Sequence, residues 1–335
     1  VAGKKPVAGA RIAIAARAPA PAVRHVAIDD AADGQRLDNF LLRLLKGVPK
    51  THVYRLIRGG EVRVNKGRAG AETRLVAGDV VRVPPVRVAA VAAAQAPARE
   101  FAVLHEDEQL LAIDKPAGVA VHGGSGVSFG VVEQLRRARP AQKVLELVHR
   151  LDKETSGVLL LAKKRAALQH LQDQFRARGT HKVYLALVLG RWPERLKVID
   201  VALLKTTDAR GERHVRVVDA AGAPAAAARR SISTVRVVER LPEATLLEVR
   251  IATGRTHQIR VHLAHAGHPI VGDPKYGDFA RNRSFARDRG FGRMFLHATH
   301  LGVLHPASGE PLELDAPLPA ECAALLATLR GVATS

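Results

Sequence analysis

The clearest periodic pattern lies between Arg36 and Gly60. Leu37, Phe40, Leu41 and Leu44 recur at the spacing of one helical face, and Val53, Leu56 and Ile57 do so after Thr51. Gly59-Gly60 ends this helix pair. Two strands are expected next, over 61–65 and 79–83, with turns at Asn65-Lys-Gly67 and Ala77-Gly-Asp79. Further on, a helix is expected over 165–178, burying Leu168, Leu171 and Phe175 and closed by Gly179. The strand expected over 182–189 alternates. Val183, Leu185, Leu187 and Leu189 form its more apolar face, and Tyr184, Ala186 and Val188 the other.

Around these elements the composition changes sharply. Residues 1–28 are rich in Ala and Pro, hold five Lys or Arg and have no acidic residue, which reads as a disordered basic tail. A transit peptide is the competing reading, although Ala-Pro alternation does not build an amphipathic helix. Residues 29–87 form a small αβ module, and 88–100, rich in Ala after Pro84-Pro85, a linker. Residues 101–330 form a large mixed α and β domain. The run 220–228 reads as a surface loop. No segment approaches the ~20 apolar residues that span a bilayer, so no membrane partner is expected. One cysteine, Cys322, excludes a disulfide framework and any Cys-built metal site, and fits a cytoplasmic protein.

Charge narrows the class of partner. The chain has 52 Lys or Arg against 32 Asp or Glu, a net charge of +20. Residues 36–87 alone hold twelve basic and four acidic residues, the footprint of a module that tracks phosphates unless the charge is merely a solvated surface. Arg36, Lys46, Lys50, Arg55, Arg58, Arg63 and Lys66 are its candidate phosphate contacts.

Three stretches hold candidate chemistry. In Leu145 to Gly157, a persisting strand would send Val148, Arg150 and Asp152 to one face and set Arg150 beside Asp152. A cation so close holds a carboxyl below its reference of about 3.9, which suits a nucleophile or base; an ordinary strand-end ion pair is the alternative. A kinase loop is excluded, because no Asp-Phe-Gly follows, and an assured pair of glycosidase carboxylates is missing. The run His122-Gly123-Gly124-Ser-Gly126 lacks an esterase elbow serine elsewhere, and its glycines suit a close backbone approach to phosphate. In Thr253 to His268, Thr256 is placed to cap a helix with Ile259, Leu263 and Ala266 buried and Arg260 on its flank. Histidines 257, 262, 265 and 268 spread over several faces, and no metal site is assigned. Tyr184 by itself reads as a packing tyrosine. Segment 278–295 interleaves four phenylalanines with five arginines, either as stacking surface and phosphate clamp or as core residues between solvated charges.

Asp114-Lys-Pro-Ala-Gly118, His149-Arg-Leu-Asp152 with Thr155-Ser-Gly157, Lys182-Val-Tyr184 and Gly254-Arg-Thr-His-Gln-Ile-Arg260 together resemble the pseudouridine synthases that modify ribosomal RNA. Residues 36–85 resemble the S-four type RNA-binding domain that such enzymes carry. The resemblance spans about residues 28–330. It implies an α+β catalytic domain on a central, mostly antiparallel sheet, and a cofactor-free isomerisation of uridine. Asp152 is the implied nucleophile, with Arg150 and Arg260 around it, Tyr184 stacking on the base and Leu296 lining the pocket. His122, Gly123, Gly124, Arg255, His257 and Gln258 are expected to bind substrate. The implied partner is 23S ribosomal RNA or a large-subunit assembly intermediate, met by a monomer. The chain departs from the pattern near 222–230. A non-catalytic RNA-binding protein and a hydrolytic nucleosidase are the rival functions.

Overall fold

A computed structural model describes residues 22–30, 32–45, 47–86, 96–123, 129–207, 213–218 and 228–331. The chain divides into two compact units, residues 1–94 and 95–335. In the first, β1 (Arg24–Ala27) precedes α1 (Leu37–Leu44) and α2 (Lys50–Arg58), and β2 (Arg63–Val64), β3 (Gly67–Arg68) and β4 (Val80–Val83) follow. The sheet order is β1-β4-β2-β3. Residues 24–27, assigned above to the basic tail, therefore form a strand that pairs with β4, with Val26 opposite Val81. The short apolar alternation at 24–28 had too few residues to stand out beside Ala and Pro. Leu37, Leu41, Val53, Leu56 and Ile57 share one core with Val81 and Val83. Residues 1–21, Lys46 and 87–95 lie outside the described residues.

The second unit opens with β5 (Val103–Glu106), β6 (Leu110–Lys115), α3 (Val131–Ala138), β7 (Glu146–Leu147) and β8 (Ser156–Ala162). Next come α4 (Arg165–Ala177), β9 (His181–Leu189), β10 (Val198–Thr207), β11 (Arg213–Val218), β12 (Arg229–Arg240) and β13 (Ala244–Ile251). The unit ends with α5 (Gln258–His265), α6 (Phe279–Arg289), β14 (Leu296–Leu304), β15 (Pro311–Asp315) and α7 (Ala320–Leu329). One eleven-stranded sheet runs β11-β10-β12-β13-β9-β14-β8-β6-β5, with β15 on β14 and β7 on β8. Its pairs are antiparallel except β14 with β8. At that parallel pair Gly157 has φ +110, and a Cβ there would lie 2.1 Å from the Ala298 carbonyl oxygen, so only glycine lets the two strands meet.

Several local expectations need correction. β9 is central and covered on both sides, and Tyr184, Ala186 and Val188 on one face are all buried, while on the other Leu187 is buried and Val183, Leu185 and Leu189 are half-buried. Alternation cannot rank the faces of a strand with two covers. The residue in left-handed conformation after α4 is Arg178, φ 61°, and not Gly179. Thr256 does not cap α5; His257 occupies that position with φ 52° and no side-chain cap. In 278–295, Phe285, Phe291 and Phe295 are core residues. Arg281 and Arg289 pair with Glu243, Arg287 with Asp288 and Arg293 with Glu321, so the core-and-charge reading applies there. Only Phe279 of the four phenylalanines is exposed.

Candidate active site

The site residues come together where β9, β13 and β14 lie side by side. The strand before Asp152 stops at Leu147, so the two-residue alternation does not reach Arg150 and Asp152. Arg150 is exposed, and among the described residues the cation that pairs with Asp152 is Arg260, whose Nη1 donates to Oδ2 over 3.2 Å. The expected pairing of Arg150 with Asp152 is thus replaced by one spanning 108 positions.

The Asp152 loop is tied down from below. Lys115 is fully buried at the end of β6, and its Nζ donates to the carbonyls of Pro116, Val119 and Lys153 at 2.8, 2.8 and 3.2 Å. The Gly118 N–H donates to the same Lys153 carbonyl. Burial, working against three carbonyl acceptors that favour the charged form, pulls the Lys115 ammonium down to about 7. Between pH 7 and about 10.4 the unfolded chain then holds a proton that the folded one releases, so stability rises with pH across this window by up to about 1.4 kcal/mol per unit. The expected result is that Lys115→Met lacks this part of the slope, measured by urea unfolding at several pH values. Equal slopes in the two proteins would refute it.

Arg260 is not on a solvated flank of α5, because residues 258–263 are all buried. Its Nε and Nη2 each donate to the Asp273 carboxylate over 2.8 Å, a planar two-bond grip that leaves Nη1 for Asp152. Burial works against the guanidinium, but Asp273 and then Asp152 outweigh it and raise its pKa. Asp273 itself follows Gly272, where a Cβ would lie 1.8 Å from the Arg293 carbonyl oxygen. His257 places Nε2 3.9 Å from Asp152 Oδ2 and Nδ1 2.9 Å from the Tyr276 hydroxyl.

The resulting cleft has a volume of about 550 Å³ and is lined by Arg150, Asp152, Arg178, Lys182, Tyr184 and Arg255 among others. It leads to a niche of about 80 Å³ where Asp152, Tyr184, Ile251, His257, Arg260 and Leu296 converge. Tyr184 is 9% exposed, and burial first, then the charge of Asp152, pushes its phenol well above the ordinary value, so it is a neutral hydroxyl. At the cleft's outer wall His149 stacks on Phe175 with ring centroids 5.0 Å apart, and Lys182 Nζ lies 5.4 Å from the Phe175 centroid. His149 Nε2 accepts the Leu160 N–H, and burial pulls the ring down to about 4, so it is neutral.

Other candidates are placed differently. Gln258 lines the niche but spends its amide on protein groups: Oε1 accepts from Thr253 and Arg255, and Nε2 donates to Ile232 and Ser233. His122 and Gly123 are not among the residues lining the cleft or niche. The Gly123 N–H is taken by the Glu133 carboxylate, which also accepts from Gly130, so this N–H is unavailable to a phosphate. Gly124 lies outside the described residues. In the first unit Lys50, Arg55, Arg58, Arg63 and Lys66 are exposed, whereas Arg36 is engaged by Asp38 and Glu72. Asp273, Tyr276 and Lys115 escaped the sequence reading as site residues. Lys115 does lie in the Asp114–Gly118 stretch that carries the family resemblance, whereas nothing marked Asp273 and Tyr276.

Residues 109–265 match the model of the RNA pseudouridylate synthase family, and residues 35–81 match that of the S4 domain. A ribosomal large subunit pseudouridine synthase C of Yersinia pestis is 49% identical over 321 residues, covering 94% of this chain and 98% of the relative. The protein of that name in Escherichia coli K12 is 50% identical over 306 residues, covering 89% and 94%. Among solved structures, human RNA pseudouridylate synthase domain containing 4 superposes with a TM-score of 0.55 at 28% identity, covering 68% of this chain and 93% of that one. Identity of about one half, sustained over nearly the full length of such relatives, shows that the chain belongs to the RNA pseudouridine synthase family.

Proposed function

We propose that the protein converts specific uridines of large-subunit ribosomal RNA to pseudouridine, with Asp152 as the nucleophile and no cofactor. The observation that supports this reading best is the convergence on Asp152. A carboxylate partly open to the cleft is held by a buried arginine, beside a neutral buried tyrosine, at the end of a cleft walled by cations. The relatives' shared name supplies the RNA class.

The reaction balances without an outside reagent. The bond from sugar C1′ to uracil N1 breaks, a bond from C1′ to C5 forms, C5 loses its proton and N1 gains one. Attack at the sugar and attack at the ring both use the Asp152 carboxylate. Tyr184 offers its ring to the uracil and its hydroxyl as donor, Leu296 and Ile251 supply apolar walls, and Arg260 orients the carboxylate. Because a paired base cannot reach this niche, the target must be unstacked first, and Arg178, Lys182 and Arg255 are placed to hold flanking phosphates. The test is incubation with ribosomal RNA tritiated at uridine C5. Label released as water with the base still attached supports the reading; free uracil would make the protein a hydrolase, and no release would leave only RNA binding.

The first unit docks the RNA through Lys50, Arg55 and Arg58 on α2 and Arg63 and Lys66 on the β2–β3 hairpin. Replacing Lys50, Arg55 and Arg58 by Ala is expected to flatten the slope of log affinity against log salt by roughly 0.7–0.9 per lost phosphate contact. Single-turnover rate at saturating RNA should change less than affinity. An unchanged slope would mean that this charge is only solvated surface.

A further inference from the structure

His257 enters α5 in the left-handed region, φ 52°, which a residue with a Cβ rarely adopts. Its ring is held by Tyr276, whose hydroxyl lies 2.9 Å from Nδ1, with the two rings edge to face at 5.5 Å. The same hydroxyl oxygen accepts the Val215 N–H over 3.2 Å. A backbone donor already on that oxygen favours the arrangement in which the hydroxyl's own proton points at Nδ1. Nδ1 is then the acceptor, and a neutral ring has its proton on Nε2, the nitrogen that faces Asp152.

Tyr276 also touches the other group that holds Asp152. The Arg260 Cζ lies 5.1 Å from its ring centroid, and its backbone N–H donates to Asp273 Oδ1 over 3.0 Å. One residue thus braces the guanidinium and orients the imidazole. The charged groups around His257 are Asp152 and Asp273 on one side of the balance and Arg260 and Lys275 on the other; burial is the largest influence and lowers its pKa. Burial also raises the Tyr276 phenol, which keeps the proton it donates.

We propose that Tyr276 is a positioning residue that fixes His257 in the Nε2-protonated tautomer and so presents an N–H donor to the Asp152 carboxylate and the base bound beside it. The proposal rests on the reading of Asp152 as the reacting carboxylate. It assigns His257 a donor's role in the niche and makes Tyr276 act through it.

The test reads the tautomer directly and the chemistry separately. In the full-length protein labelled with ¹⁵N-histidine, long-range proton–nitrogen correlation should show His257 neutral and protonated at Nε2. Tyr276→Phe keeps the ring under Arg260 and removes the hydroxyl; it should shift His257 toward the other tautomer. In single turnover at saturating RNA it should slow the reaction about tenfold, with RNA affinity unchanged within about twofold. In a His257→Gln background, where the amide nitrogen sits near the Nε2 position and has no tautomer, Tyr276→Phe should cost nothing further. Nδ1 protonation in the parent, an unchanged tautomer in Tyr276→Phe, or losses that add in the double variant would each overturn the proposal. If Tyr276→Phe fails to fold, the parent spectrum alone decides. Because the tautomer is read without turnover, failure of the Asp152 assignment and failure of this one remain distinguishable.

Discussion

Asp152→Asn is expected to abolish pseudouridine formation while leaving the fold and RNA binding in place. The amide keeps the volume of the carboxyl and an oxygen that can still accept from Arg260 Nη1. Arg260 loses little support, because its two bonds to Asp273 are untouched. The proposed nucleophile, however, is gone: an amide oxygen is a far weaker nucleophile than a carboxylate, and among the described residues no other carboxylate lines the niche. If Asp152 forms the covalent intermediate as proposed, its loss corresponds to a fall on the order of 10³-fold or more in single-turnover rate. RNA affinity should stay equal or tighten slightly, since one negative charge leaves a cleft lined by Arg150, Arg178, Lys182 and Arg255. Tritium release, filter binding and thermal unfolding measure the three quantities. Turnover within tenfold of the parent would remove Asp152 from its role. So would a rate loss fully explained by weaker binding, since the cleft would then be a docking surface alone.

What the sequence revealed of this site, and what it hid, follows from the range of each interaction. The α1 and α2 stripes and the alternation of β9 were readable because helix and strand periods are local properties, and their core partners only had to be apolar. The family resemblance pointed to Asp152, Tyr184 and Arg260 through its motifs and to Leu296 by position, and the fold brings all four to one niche. Spacing alone failed at Arg150. It assumed that the strand continues, whereas the chain leaves the sheet after Leu147 and Asp152 meets an arginine from a distant helix. The anchoring groups were harder still to see. Lys115 binds three carbonyls, which have no sequence signature, and Asp273 and Tyr276 act from a turn whose partners lie on α5 and β11. Buried polar residues of this kind can be found only once the groups that satisfy them are in view.

Asp273 illustrates how much stability such an unseen residue can govern, and Asp273→Ala is expected to be the most destabilising single change at the site. Arg260 is 5% exposed and Asp273 fully buried, so neither charge can turn to water when its partner is lost. Removing Asp273 leaves a buried guanidinium with one remaining acceptor, Asp152 at 3.2 Å, and strands the N–H groups of Lys275 and Tyr276. Breaking a buried pair from one side costs about 3–5 kcal/mol. For a unit of this size that corresponds to a fall in melting temperature of roughly 6–20 °C. The same pair sets a pH dependence. Burial pushes the Asp273 carboxyl up, but the Arg260 hydrogen bonds and charge, helped by the two N–H donors, outweigh it and hold the pKa below the ordinary value. Its contribution is therefore fully present above an unfolded-state pKa of about 3.9 and is lost as pH falls through the lower folded-state value. The parent should lose stability on acidification in that window, and Asp273→Ala should lack this part of the loss. A second variant separates charge from shape. Asp273→Leu combined with Arg260→Met removes both charges and should recover much of the melting temperature, because apolar residues can replace a buried pair at little cost. Its activity should not recover, since Asp152 then has no guanidinium to orient it. A melting temperature for Asp273→Ala within about 2 °C of the parent would correspond to less than about 1 kcal/mol and show that Arg260 is not held by this pair.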